Sequence, residues 1–165
     1  VHDFWSAYFY LHFYTVNTAK LSENVWKEAE KMLEQIQKYP QKEEYQKLVE
    51  ADRINLYERE AEKGDDRKFL EETDRVFKEN LRGDPAWKLY ERKLVYLESK
   101  QPDISREFER FLKKYPKVMD AYVEYSIYLC RNNKMTQAQR VYREGRKQTG
   151  MTSKRAEELR RKLGL

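Results

Sequence analysis

A pair of apolar side chains three residues apart recurs along this chain at nearly constant intervals. Ile54 and Tyr57 form one pair, Trp87 and Tyr90 repeat it 33 residues on, and Tyr122 and Tyr125 repeat it after another 35. Each pair is followed, 15 to 18 residues later, by arginine, any residue and an aromatic: Arg75-Val76-Phe77, Arg106-Glu107-Phe108 and Arg140-Val141-Tyr142. Self-similarity at such a period marks repeated supersecondary units, each too small to bury its own apolar face. Trp5 and Tyr8 start a more divergent first copy, whose second helix is expected from about Glu23 to Lys38.

The spacing inside each copy is helical. Trp87, Tyr90, Leu94 and Leu97 step by three, four and three, as do Ile104, Phe108, Phe111 and Tyr115 with small variation. Such a stripe is one face of an α-helix. The breaks agree with it. Lys38-Tyr39-Pro40 and Lys114-Tyr115-Pro116 close two second helices, and Gly64, Gly83 and Gly150 fall between helices. Asp84-Pro85 reads as a helix cap followed by proline at the first helical position. Thr136 and Gln139 have capping-box spacing. We expect an all-α fold, an α-solenoid of antiparallel helix pairs in a single domain over residues 1–165. Its repeats cover about 3–40, 43–83, 84–117 and 118–150, with a basic capping helix over 152–163 that adds little core. The second repeat departs from the pattern, because its first helix runs from about Glu43 to Glu62.

Composition supports helices with charged outer faces around an aromatic seam. Charged residues make up 38% and aromatics 14%, with 13 Tyr, and disordered chains lack such aromatics. Trp87, Tyr90, Tyr122, Tyr125, Phe77, Phe108 and Tyr142 are read as packing residues, with tyrosine hydroxyls reaching partners at the seam's edge. Arg75, Arg106 and Arg140 are expected to tie each second helix to its neighbour. The one cysteine, Cys130, allows no internal disulfide and reads as a small buried hydrophobe. No run of about 18 apolar residues is present to span a membrane. The chain opens on Val1 rather than Met, and we expect it to be cut from a longer protein.

The residues argue against catalysis. His2 and His12 are the only histidines, and one cysteine cannot complete a zinc or nucleophile site with them. Glu62-Lys63-Gly64-Asp65-Asp66 holds anions where a phosphate loop would need glycines. We expect no enzyme activity, no catalytic residues, no cofactor and no metal.

The helix-pair pattern resembles the HAT (half-a-TPR) repeat. TPR first helices place glycine between their aromatic positions, and Trp87-Lys88-Leu89-Tyr90 and Tyr122-Val123-Glu124-Tyr125 do not. HAT repeats pair Trp-x-x-Tyr with Ala-Arg-x-x-Tyr, and Ala138, Arg140 and Tyr142 are similar to the latter with one residue inserted. The glutamate usual in the first helix is Leu94 or Leu129 here. The resemblance implies a non-catalytic, protein-binding and often homodimerising scaffold in a nuclear RNA-processing assembly, for splicing, messenger 3′-end processing or pre-ribosomal RNA processing. Trp87 to Ile104 is similar to HAT repeats of the U3 small nucleolar particle, which extends the expected location from nucleus to nucleolus.

Two features go beyond packing. The first helix is apolar on every side, and Phe4, Trp5, Phe9 and Phe13 are candidate protein-interface residues. Residues 131–165 carry +8, leaving −3 for the rest of a chain whose net charge is +5. Arg143, Arg146, Lys147, Lys154, Arg155, Arg160, Arg161 and Lys162 are candidates for a surface that contacts RNA or an acidic partner.

Overall fold

The computed structural model of the chain describes residues 3–16, 23–39, 43–79 and 82–165. Among them every regular element is an α-helix, as expected. The helices are α1 (Phe4–Val16), α2 (Glu23–Gln37), α3 (Glu43–Glu62), α4 (Arg67–Glu79), α5 (Gly83–Glu98), α6 (Ser105–Lys114), α7 (Met119–Arg131), α8 (Met135–Thr149) and α9 (Lys154–Lys162). They fall into two compact units, Val1–Asp74 and Arg75–Leu165, and the division lies inside α4.

In the N-terminal unit α1 packs on both α2 and α3. On α2 the buried positions Trp26, Ala29, Leu33 and Ile36 step by three, four and three, so one face meets the core. Phe4, Ala7 and Leu11 of α1 and Val49 and Leu56 of α3 complete that cluster. The length of α3 has a packing reason. Its buried residues Val49, Asp52, Ile54, Leu56 and Ala61 do not share one face, because α1 and α2 both pack against it. It also reaches α4, where Arg53 Nη1 pairs with Glu72 Oε1 at 3.0 Å.

The C-terminal unit is built on the aromatic seam. Phe77 of α4 meets Tyr90 of α5 with ring centroids 4.8 Å apart. Trp87 stands edge-on to Phe111 of α6 at 5.0 Å, and Phe108 stacks on Tyr125 of α7 at 4.8 Å. The hydroxyls find the edge partners the sequence calls for. Tyr90 donates to Glu107 Oε2 at 2.6 Å, Tyr125 to Glu109 Oε1 at 3.1 Å, and Tyr142 to the Ala156 carbonyl at 3.1 Å. The α7–α8 hairpin packs closely at Gly145. A Cβ at that position would come within 2.6 Å of the Tyr122 ring stem, so only glycine lets the two helices approach so closely.

Several local expectations are corrected. The first residue of α8 is Met135, its cap is Lys134 and no side chain caps it, so Thr136 and Gln139 form no capping box. Gln139 instead donates Nε2 to the Leu163 carbonyl at 2.8 Å, tying α8 to the end of α9. Arg82 occupies the cap position of α5, which places Asp84 within the first turn rather than before it. Arg106 and Arg140 are exposed and pair with no other described residue, while Arg75 pairs with Glu79 one turn on in its own helix. Neither Arg106 nor Arg140 therefore links its helix to a neighbour through an ion pair. The basic helix α9 does add core: Met151, Ala156, Leu159 and Leu163 are buried against α7 and α8. Its start is a true cap, with Ser153 Oγ accepting from the Ala156 amide at 3.2 Å.

Candidate functional site

Helix α1 carries two apolar faces. Phe4, Ala7, Leu11 and Thr15 point into the N-terminal unit, so Phe4 is a core residue and not part of an exposed surface. Trp5, Phe9 and Phe13 lie on the outer side, 43%, 63% and 58% exposed. Tyr10 and Val16 are exposed as well. The outer residues Trp5, Phe9 and Val16 succeed one another at four and seven residues, a stripe along one side of the helix. The rings touch along it: Trp5 and Phe9 are 6.2 Å apart between centroids, and Tyr8 bridges both at 6.1 and 5.8 Å. Aromatic side chains give rigid contact area at small conformational-entropy cost, and a contiguous exposed apolar patch marks an interaction site.

The candidate cations divide by helix. Arg143 and Lys147 are exposed on α8 and have no ion-pair partner among the described residues. The Glu157 carboxyl pKa is held down by the hydrogen bond from Arg160 and also by Arg146, which is exposed too. On α9, Lys154, Arg161 and Lys162 are exposed, but two neighbours are engaged. Arg155 pairs with Glu124 of α7. Arg160 is half-buried, with Nε on Glu157 Oε2 at 2.9 Å, and it also donates to the Leu165 carbonyl. Arg155 ties α9 to α7, while Arg160 is engaged within α9 and the chain end, so the free positive surface is smaller than the sequence suggests.

Two polar clusters escape sequence reading. In the N-terminal unit, buried Asp52 accepts from Thr15 Oγ1 at 2.6 Å and faces His12 Nδ1 at 3.1 Å. A carboxylate behind an imidazole resembles the orienting half of a catalytic triad. Thr15 spends its proton on Asp52, however, and no described hydroxyl or thiol is hydrogen-bonded to the ring's other nitrogen. The arrangement works as a tie between α1 and α3. Among the described residues no group of three or more His, Cys, Asp and Glu side chains is placed to hold a metal ion. Cys130 is half-buried, and burial raises its thiol pKa, which lowers its thiolate content.

The second cluster joins Glu30 of α2, Glu60 of α3 and Lys68 of α4. Lys68 Nζ is 3.3 Å from Glu60 and 4.0 Å from Glu30, and lies over the Tyr57 ring at 5.5 Å. Burial and the neighbouring Glu30 carboxyl push Glu60 up to about 7, against the pull of Lys68. A raised carboxyl pKa means the folded state holds its proton more tightly than the unfolded chain, whose value is about 4.3. That stability is fully present below the unfolded value and is lost as pH rises through about 7. The melting temperature of the N-terminal unit is therefore expected to be lower at pH 8 than at pH 5. Glu60→Gln should remove that difference, as calorimetry across the range will read.

The chain matches no protein-family model, no curated protein and no solved structure. No helix among the described residues is long and apolar enough to cross a membrane.

Proposed function

We propose that this chain is a non-catalytic binding scaffold, an α-solenoid of HAT-like helix pairs that works inside a nuclear RNA-processing assembly. The observation that carries the scaffold reading is α1: Trp5, Phe9 and Phe13 present an apolar face to solvent while the opposite face fills the core. Burial is worth about 25 cal/mol per Å² of apolar surface, so covering that face with a protein favours association. A second copy can cover it through a two-fold contact, since one patch then serves both chains. The RNA-processing setting and the nuclear location rest on the repeat resemblance of Trp87-x-x-Tyr90, Tyr122-x-x-Tyr125 and Ala138 to Tyr142. Affinity capture of the full-length protein, compared with a Trp5→Glu, Phe9→Glu variant, tests both parts. Splicing, 3′-end or pre-ribosomal factors should co-purify with the wild type and be lost from the variant. Capture of no such factor would overturn the setting.

A second reading is direct, largely sequence-independent RNA contact through the basic C-terminal region. The exposed Arg143, Arg146 and Lys147 on one stretch of α8 favour it. Such binding releases counterions and falls steeply with salt. Reversing Arg143, Lys147, Arg161 and Lys162 to Glu should abolish it without unfolding, because all four are exposed. Failure to retain single-stranded RNA at low salt would eliminate this reading.

A further inference from the structure

Charge is divided between the two units. Residues 1–74 hold 11 Lys and Arg against 17 Asp and Glu, whereas residues 75–165 hold 23 against 12. The positive excess is densest on α8 and α9. Their exposed side chains include eight Lys and Arg but two carboxylates, Glu144 and Glu158. Of the eight, Arg155 is spent on Glu124 of α7. Arg140, Arg143 and Lys147 succeed one another at three and four residues, so they line one side of α8 over a rise of about 10 Å. None of the three has an ion-pair partner among the described residues. Helix α9 lies beside α8, tied to it by Gln139 on the Leu163 carbonyl and Tyr142 on the Ala156 carbonyl. It adds the exposed Lys154, Arg161 and Lys162 to the same part of the unit.

This surface has charge but little to stack on. Every aromatic residue of the C-terminal unit is buried except Tyr96. That ring is half-buried on α5, with the Lys100 ammonium 5.7 Å from its centroid. The exposed large hydrophobics of the unit are Val95 and Met135. Val95 belongs to α5, and Met135 lies five residues before Arg140, on a different side of α8. A single strand held by its bases needs aromatic platforms, and a protein partner needs an apolar centre to its contact. The stripe of Arg140, Arg143 and Lys147 offers neither among the described residues. A phosphate backbone needs only cations. A duplex carries the denser charge, and each cation that meets it releases more counterion, about 0.9 per contact against about 0.7 for a single strand.

We infer that the α8 stripe of Arg140, Arg143 and Lys147 binds double-stranded RNA along its phosphate backbone, without reading sequence. Thr136 is exposed four residues before Arg140, at the head of the same stripe. Its hydroxyl can meet a 2′-hydroxyl, the group that separates RNA from DNA. This names the ligand class for the RNA-contact reading of the basic C-terminal region, on which it rests. The exposed Trp5, Phe9 and Phe13 belong to the acidic unit and take no part.

Anisotropy of the full chain with a fluorescein-labelled RNA duplex of about 20 base pairs, over about 50 to 200 mM salt, reads affinity and the number of phosphates contacted. The duplex should bind about tenfold or more tightly than a uridylate single strand with as many nucleotides, and more tightly than a DNA duplex of the same sequence. Arg140→Gln, Arg143→Gln and Lys147→Gln together should weaken duplex binding about tenfold or more at low salt. They should also lower the slope of log affinity against log salt by about 2.7, at about 0.9 for each lost contact. The triple variant should melt like the wild type, because all three side chains are exposed. Replacing three exposed lysines of the other unit, Lys27→Gln, Lys47→Gln and Lys63→Gln, should leave both values unchanged and so separates a local contact from net charge. A single strand that binds as tightly as the duplex overturns the duplex assignment while RNA contact stands. Retention of neither form at low salt removes both. The assignment is also overturned if the DNA duplex binds as tightly as the RNA duplex, if polyglutamate at equal charge displaces the duplex, or if the triple variant keeps wild-type affinity.

Discussion

Trp87→Ala is expected to destabilise the C-terminal unit by about 3 to 5 kcal/mol, the usual range for removing a large aromatic from a core. The indole is 4% exposed and sits where α5 meets α6, 5.0 Å from the Phe111 ring and 6.4 Å from Phe108. Phe111 in turn packs on Tyr90 and Phe77, so a void at Trp87 loosens three helices. Urea unfolding followed by far-ultraviolet circular dichroism reads the loss as a lower midpoint. A variant that melts like the wild type yet no longer binds a partner would move Trp87 from core to contact surface.

Glu107→Ala should cost nearly as much for an electrostatic reason. Lys93 is 4% exposed, and its Nζ lies 3.0 Å from Glu107 Oε2, the same oxygen that accepts from Tyr90 at 2.6 Å. Removing the carboxylate takes a hydrogen-bonded counter-charge away from the buried ammonium of Lys93, and breaking a buried pair from one side costs about 3 to 5 kcal/mol. Glu107 is less buried than Lys93, which places the expectation near the lower figure. Adding Lys93→Met to Glu107→Ala should recover most of the loss. If the double variant is no more stable than the single one, the pair is not the source. Burial raises the Glu107 pKa, but the hydrogen bonds from Tyr90 and Lys93 outweigh it and the net shift is downward. A lowered carboxyl pKa contributes stability above the unfolded value of about 4.3, and that contribution disappears as pH falls through the folded value. Acid should therefore weaken the wild type at this site and leave Glu107→Gln indifferent.

The apolar stepping of α2, α5 and α6 was legible because each helix shows one face to the core, and a single period of three and four then survives in the sequence; α7 packs on α6, α8 and α9, and Tyr122, Tyr125 and Leu129 are only part of its buried surface. Helix α3 was not legible in the same way. It is covered from more than one side, so its buried positions scatter and its apolar stripe vanishes into Val49, Ile54, Leu56 and a buried Asp52. That aspartate looks like any surface charge until folding brings His12 and Thr15 to it from 40 and 37 residues away. Lys93 is hidden by the same ambiguity, since its partner Glu107 sits on the next helix. The burial of α9 did leave a signal. Ala156, Leu159 and Leu163 step by three and four within a basic segment, and the charge around them drew the reading toward an outer cap. Helix α1 is the opposite case. Its sequence has no polar side, so periodicity could not tell Phe4, which is buried, from Trp5, Phe9 and Phe13, which are not.

The outer face of α1 is where the scaffold reading is most exposed to test. Analytical ultracentrifugation of this chain at tens of micromolar, alongside the Trp5→Glu, Phe9→Glu variant, measures whether that face joins proteins. The wild type should sediment as a concentration-dependent dimer. The variant should sediment as a monomer of unchanged helical content, because both residues point away from the core. A wild type that stays monomeric across that range, with the same sedimentation coefficient as the variant, would contradict self-association through α1.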